Sequence, residues 1–478
     1  MTVVITTPPP TPNGPLHVGH LSGPYVAGDI AARALRAAGA DVLAMTGLDS
    51  NQNYVLAKAE ALGRPVDETV RDYSDQIRTA FAKARIEYDV LLDPTEDADY
   101  RDGVRRLVGE LFDGGGVGAA AGEETVLHRC PSCGRTMHHA YVAGLCGTCG
   151  AGAAGGACEA CMAYNTAATL REARSTCCDA IPEEYTARVP VLRLEDHRDQ
   201  LTRVWAEAEL HPRVVDLVRR LLADGLPAVP VAYPTDWGIE LDGPHRDLRL
   251  DVWVEMAFGY LYVIARALDP SVRTLADCVA AWNGVDELWH FLGVDNAFYY
   301  SVLIPAVFAA AGVKPGVLRG LVVNEFYRLD GLKFSTSRNH AVWALDFLDE
   351  QDPGDIRLFL AQDRPDRYES DFTRDAFKTG RPSADADLER ARHALTPSGF
   401  DPSLAARLLL PHRDDPRASA LLSLITATPP SAGSAAPAEN PTSAESSAPT
   451  ESAASAEGSA PTESAASAAD AVLAGDGS

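Results

Sequence analysis

The chain has 478 residues, enough for about three domains and a substantial buried core. Apolar residues make up 46% and charged residues 23%, with no run approaching the roughly 18 apolar residues that a membrane-spanning helix needs, so no such helix is expected. Acids outnumber bases 67 to 42, and the net charge of −25 opposes sequence-independent binding of nucleic acid.

In chain order, Thr2 to Thr6 reads as a short buried strand followed by a proline-rich loop. Val26, Ile30 and Ala34 then recur at helical spacing up to Gly39, and Asp41 to Thr46 is the next strand. The first residues have no basic head and are broken by Pro8, Pro9, Pro10 and Pro12, which argues against a secretory signal and for a cytoplasmic protein. The loop PNGPLHVGH lies at the strand-to-helix turn of this β-α-β opening, where parallel sheets bind ligands.

Eight of the nine cysteines fall between Cys130 and Cys178, clustering that points to metal rather than disulfides in such a protein. Cys146-x2-Cys149 and Cys158-x2-Cys161 are separated by eight residues, a zinc-ribbon-like spacing with four thiolates for one tetrahedral ion. Beyond them, strands are expected at Arg249 to Val254, Leu288 to Leu292 and Leu318 to Val323, alternating with helices around Phe258 to Leu268 and Phe298 to Ala311. The expected fold is therefore α/β, with a parallel sheet interrupted by the cysteine segment. The expected divisions are a first catalytic half over 1–120, a zinc-knuckle insertion over 121–190, a second half over 191–345, a short helical extension over 346–428 and a disordered tail over 429–478. The tail repeats SAPTESAASA and contributes seven acids and no base.

His17 and His20 open a helix, so two imidazoles and free backbone N–H groups converge where an anion would sit. Taken alone, the tetrapeptide fits a pair of surface histidines equally well. Lysine occurs only at positions 58, 83, 314, 333 and 378, and Lys333 lies in the polar stretch LDGLKFSTSRN after an expected strand, a cation suited to gripping pyrophosphate.

Together these stretches resemble the HIGH and KMSKS signatures of class I aminoacyl-tRNA synthetases, and the surroundings resemble the methionyl-tRNA synthetase family. TTPPPTPNGPLHVGHLSGP, TGLDSNQNYVLAKAEALG, DVWVEMAFGYL, FLGVDNAFYYSVLIPAVF and LDGLKFSTSRN occur in that family's order between Met1 and Phe377. The resemblance implies a Rossmann-type core, ATP with Mg2+ on His17, Gly19, His20, Gly293, Asp295, Lys333, Ser335 and Ser337, and a catalytic role for His17, His20 and Lys333. It implies that Asp49 pairs with a substrate amino group and that Trp253 and Tyr260 wall the amino-acid pocket. It also implies two Zn2+ sites, the second using Cys130, Cys133, Cys177 and Cys178. Adjacent Cys177 and Cys178 stand where the family has a C-x2-C pair, which leaves His128, His138 or His139 as alternative ligands.

The sequence departs from the family at Thr336, where a second signature lysine is expected, a loss worth about 2 to 4 kcal/mol by analogy with single transition-state donors. Arg338 is the available substitute; a degenerate, inactive site is the alternative. Pro9, Thr11, Met256, Ala257, Asn296, Tyr300 and Ile304 also replace the family's usual pocket residues, which turns the expected substrate away from methionine. Only about fifty residues separate Phe377 from the tail, too few for the family's anticodon-reading bundle. The expected function is an ATP-dependent ligase that forms an aminoacyl adenylate and passes the acyl group to a small-molecule amine or N-hydroxylamine in specialised metabolism, with a separate cupin partner as in hydrazine-forming relatives. The alternatives are a methionine–tRNA ligase acting through the tRNA acceptor end, and a non-catalytic zinc-bearing binding protein.

Overall fold

Val3, Val4 and Ile5 are completely or almost completely buried. A run apolar on both faces suits a strand covered by helices on both sides. The computed structural model, which describes residues 1–113, 122–334, 340–366, 369–374, 377, 388, 391–392 and 394–427, places this run at the centre of a five-stranded sheet. The tail over 429–478 lies outside those residues. Five strands, β1 (Thr2–Thr6), β2 (Asp41–Gly47), β3 (Val90–Leu92), β4 (Glu287–Gly293) and β5 (Leu318–Asn324), stand in the order β5-β4-β1-β2-β3 with every neighbouring pair parallel. Thr6 is in register with Met45 on one side and His290 on the other. The fold is the expected parallel α/β class.

Helix α1 (Val26–Ala37) crosses from β1 to β2, its Ile30 and Ala31 fully buried. The expected strand from Arg249 is corrected: only Arg249–Leu250 is extended, paired antiparallel with Ala232–Tyr233. Helix α2 (Val252–Leu268) begins at once, because Asp251 accepts from the backbone N–H groups of Trp253 (2.9 Å) and Val254 (3.2 Å). A helix buried nearly all round looks like a strand over its first few apolar residues, and the capping carboxylate decides between them. The expected helix from Phe298 is present, but Tyr299–Leu303 is a π-turn that runs into α3 (Ile304–Ala311). Pro305 has no N–H to give, and the Ser301 carbonyl instead accepts the Trp205 indole at 2.7 Å.

Helices α4 (Pro353–Gln362) and α5 (Pro416–Thr426) pack against the α1 side of the sheet, where Ile30, Phe81, Leu360 and Ile425 share one apolar cluster. At its centre the fully buried Arg357 guanidinium pairs with Asp29 of α1 and donates to the carbonyls of Ile425, Ala84 (3.1 Å) and Arg85 (3.3 Å). Removing the guanidinium leaves the Ile425 and Ala84 carbonyls buried without it and Arg33 (2.8 Å) as the remaining ionic partner of Asp29. Arg357→Ala is therefore expected to lower stability by about 3 to 5 kcal/mol in equilibrium urea unfolding; a loss below about 1 kcal/mol would contradict this role.

Between α/β halves, Glu123–Arg129 and Glu183–Val189 form a seven-residue antiparallel stalk that carries the cysteine turns.

Candidate active site

The sheet order places the outgoing connection of β1 on one side and that of β4 on the other, so a crevice opens at the carboxyl ends of these two neighbours. The His17–His20 turn follows β1, and Gly293 ends β4 with Asp295 in the next turn. The His17 backbone N–H donates to His20 Nδ1 at 3.0 Å, which leaves the His20 proton on Nε2. The two rings stack with centroids 3.7 Å apart, and Phe334 stacks on His17 at 4.7 Å. Gly19 fits because a Cβ there would meet the His17 ring at 3.0 Å. Burial pulls the His20 pKa down to about 4 and that of His17 well below the usual imidazole range, with His20 and Lys333 adding to the shift. Both rings are neutral donors at pH 7, and His17 Nδ1 is buried without a partner among the described residues.

Lys333 ends a hairpin formed by Tyr327–Leu329 and Leu332–Lys333. Its ammonium sits 4.3 Å from the Phe326 ring centroid and pairs with the Glu159 carboxylate, which lies between Cys158 and Cys161 in the insertion. Glu159 meets Lys333 across 174 residues of chain, a contact that no local pattern announces. Ser335, Thr336, Ser337 and Arg338 lie outside the described residues.

Asp49 follows β2, fixed by its N–H to the Pro10 carbonyl (3.0 Å) and by the Thr11 hydroxyl, which donates to Oδ2 at 3.0 Å. Oδ1 is buried and accepts from nothing among the described residues. Burial pushes the Asp49 carboxyl up to about 7, and Asp251 pushes the same way. The other expected amino-acid residues divide between two cavities. Pro9, Asp49, Met256 and Tyr260 line a small one of about 30 Å3, with Tyr300 behind them. Trp253, Asp295 and Asn296 line a larger one of about 550 Å3 beneath the insertion, together with Glu159 and His139. Trp253 lies flat on Tyr299, ring centroids 3.6 Å apart, and the Tyr299 hydroxyl accepts from the Ala157 N–H of the insertion at 2.9 Å. Ile304 belongs to neither cavity; it faces a cleft with His290 and Phe308. Sequence reading also missed Glu255, buried beside Asp49 and held by Asn51 Nδ2 (2.9 and 3.0 Å) and the Tyr100 hydroxyl (3.1 Å), its carboxyl pushed up to about 8 by burial. An acid within the otherwise apolar VWVEMAFGYL run was the available signal.

The sulfur atoms of Cys146, Cys149, Cys158 and Cys161 lie within 4.8 Å of one another, and so do those of Cys130, Cys133, Cys177 and Cys178. Both sets suit tetrahedral Zn2+, the geometry that thiolate quartets favour. Cys177 and Cys178, adjacent in the chain, both reach the second quartet because of the shape of the fourth turn. Cys130, Cys146 and Cys158 each donate N–H to a carbonyl five residues on and accept from the N–H four residues on, with Gly134, Gly150 and Met162 at positive φ. Ser175 does the same with Ala180 and Asp179, so the fourth turn is Ser175-x2-Cys178, and Cys177 is supplied from inside it. Ser175 holds the place of a first cysteine, its Oγ accepting from Cys130 Sγ at 3.4 Å. The histidine alternatives are engaged elsewhere: His139 Nε2 meets Asp251 at 2.6 Å, His138 stacks on Tyr233 at 4.5 Å, and His128 faces Glu184 at 3.9 Å.

A parallel sheet with paired histidines at its switch point and a zinc-knuckle insertion defines the class I synthetase architecture. Residues 3–382 match the family of tRNA synthetases class I (M), and the chain belongs to that family. It is 28% identical to the methionine–tRNA ligase of Bacillus cereus (strain B4264) over 76% of this chain and 66% of that one. It is 29% identical to the methionine–tRNA ligase of Thermococcus kodakarensis over 78% of this chain and 52% of the relative. The chain thus spans between about half and two thirds of the length of these relatives. In fold it is similar to Mycobacterium tuberculosis methionyl-tRNA synthetase bound by methionyl-adenylate, with a TM-score of 0.64, 18% identity, and 89% of this chain and 83% of that one covered. Among the described residues no helix is long and apolar enough to cross a membrane.

Proposed function

We propose that the protein activates an amino acid with ATP and hands the acyl group to a small-molecule amine or N-hydroxylamine. The reading is carried by one observation: neutral His17 and His20, the Lys333 ammonium and the buried, unpartnered Asp49 oxygen lie around the crevice where β1 and β4 diverge. In the first step a substrate carboxylate oxygen attacks the α-phosphorus of ATP, the bond to the bridging oxygen breaks and pyrophosphate leaves. The His20 Nε2–H and a ring N–H of His17 donate to the charge that builds on the phosphate, and Asp49 Oδ1 takes the substrate ammonium; Mg2+ bound with ATP would screen the remaining phosphate charge. Lys333 serves the departing pyrophosphate once it parts from Glu159. In the second step the amine nitrogen attacks the acyl carbon, loses a proton and displaces AMP.

Support for a small acceptor over tRNA comes from charge: a chain at −25 with five lysines repels a polyanion. A cupin-type partner belongs to this proposal as the source of any later rearrangement. The second reading, methionine–tRNA ligation, is favoured by the names of the relatives. The test is AMP release by the full chain with ATP and its preferred amino acid. Saturable stimulation by a small amine or hydroxylamine, and none by tRNA, is expected. Charging of methionine tRNA that collapses when the anticodon is altered would overturn it.

A further inference from the structure

We infer that the outer quartet, Cys130, Cys133, Cys177 and Cys178, is an exchangeable zinc site in which Cys177 stands in for the cysteine that Ser175 replaces, and that it gives up its ion well before the inner quartet of Cys146, Cys149, Cys158 and Cys161 does. The inference concerns the insertion and holds whether or not the protein makes adenylates. Two features separate the quartets. The first is access: three of the four inner cysteines are buried, whereas in the outer quartet only Cys130 is. Water, chelators and competing thiols therefore reach the outer sulfurs directly.

The second feature is support from the backbone. A knuckle turn aims N–H groups at the sulfur of its first cysteine, and such donors favour the thiolate that a metal needs. The N–H groups of Ser132 and Cys133 serve Cys130, those of Thr148 and Cys149 serve Cys146, and those of Ala160 and Cys161 serve Cys158. The fourth turn has the same backbone shape but an oxygen in that place: Ser175 Oγ accepts the Ala180 N–H at 3.0 Å. The missing sulfur comes from Cys177, two residues on, whose Sγ lies 3.4 Å from that of Cys133. Cys177 thus reaches the quartet from the middle of the turn, away from the position that N–H groups serve, and shares a peptide bond with Cys178 on the same site. The inner quartet has two complete turns, and the second is clamped to the body of the protein. Arg213 donates to the Ala160 carbonyl at 2.7 Å, Arg220 donates to the Cys161 carbonyl, and Glu159 pairs with Lys333. The Cys130 turn leans on the Arg135–Glu60 pair, in which both side chains are partly exposed.

The experiment follows metal release from the full-length protein after loading with excess Zn2+ and removal of the unbound ion. Excess pyridylazoresorcinol, a coloured zinc chelator, reports release, and pulses of N-ethylmaleimide with peptide mass spectrometry report which cysteines have been freed. One equivalent is expected to leave at least about tenfold faster than the other, the size of effect that supporting contacts around a metal produce. Cys133, Cys177 and Cys178 are expected to be alkylated in that fast phase, and Cys146, Cys158 and Cys161 only in the slow one. Cys177→Ser is expected to retain a single equivalent. The chain carrying both Ser175→Cys and Cys177→Ser, which completes the fourth turn, is expected to regain the second equivalent and to release it at least about tenfold more slowly than the wild type does. Release of both ions in one phase, alkylation of the inner cysteines first, or retention of both equivalents by Cys177→Ser would overturn the inference. So would a wild type that loads a single ion, or a folded double variant that releases its outer ion as fast as the wild type. If circular dichroism shows the double variant unfolded, the wild-type labelling order and the metal content of Cys177→Ser decide the matter on their own.

Discussion

Alanine in place of His17, His20 or Lys333 is expected to lower amino-acid-dependent ATP–pyrophosphate exchange by roughly tenfold or more each, while leaving the folded state intact. In the proposed reading each side chain supplies a donor or charge to phosphate oxygens, and losing one such donor costs about 2 to 4 kcal/mol of transition-state stabilisation. The histidines act as neutral donors, because burial holds the His20 pKa near 4 and that of His17 well below the imidazole range. Activity through His17 and His20 is therefore expected to show no limb from their protonation between pH 6 and 8. Lys333 differs in kind, since its ammonium is half exposed and paired with Glu159 rather than buried. Circular dichroism and unfolding midpoints separate a lost contact from a lost fold. Exchange surviving all three substitutions would place the phosphate site elsewhere.

Removal of zinc has the second large expected effect. The wild-type protein is expected to carry between one and two tightly held equivalents by elemental analysis, and Cys158→Ser to lose about one. Four sulfurs within 4.8 Å cannot all ionise without a cation between them, and structural zinc in such quartets supplies folding free energy outright. Local unfolding of the insertion follows, and it reaches the crevice: Glu159 holds Lys333, the Ala157 N–H holds Tyr299, and His139 holds the Asp251 cap of α2. Loss of the Cys158 knuckle is thus expected to lower amino-acid binding as well as metal content. Unchanged metal in Cys158→Ser would defeat the site.

Much of this architecture was legible because it is written in local pattern. β1, α1, β2, β4 and β5 follow from short apolar runs and helical spacing, and the C-x2-C pairs announce their own turns. Asp251 shows the limit of that signal, since Arg249 to Val254 is apolar enough for a strand and only the capping carboxylate starts a helix at Val252. The fourth cysteine turn was not legible for a related reason: it opens on Ser175 rather than on a cysteine, although its backbone makes the same turn as Cys130, Cys146 and Cys158. The pairing of Lys333 with Glu159 and the burial of Glu255 beside Asp49 depend on elements far apart in the chain, and no local periodicity encodes them. Likewise, Met256 and Tyr300 were visible as residues, but the contacts that join them to Tyr260 appear only when α2 and the π-turn before α3 pack together.

The central claim is that this chain makes aminoacyl adenylates, and the most direct test is radiolabelled pyrophosphate exchange into ATP by the full-length protein, screened across the proteinogenic amino acids with Mg2+. The account predicts stimulation by one or a few amino acids that is abolished in Asp49→Ala; exchange stimulated by none of them would contradict it.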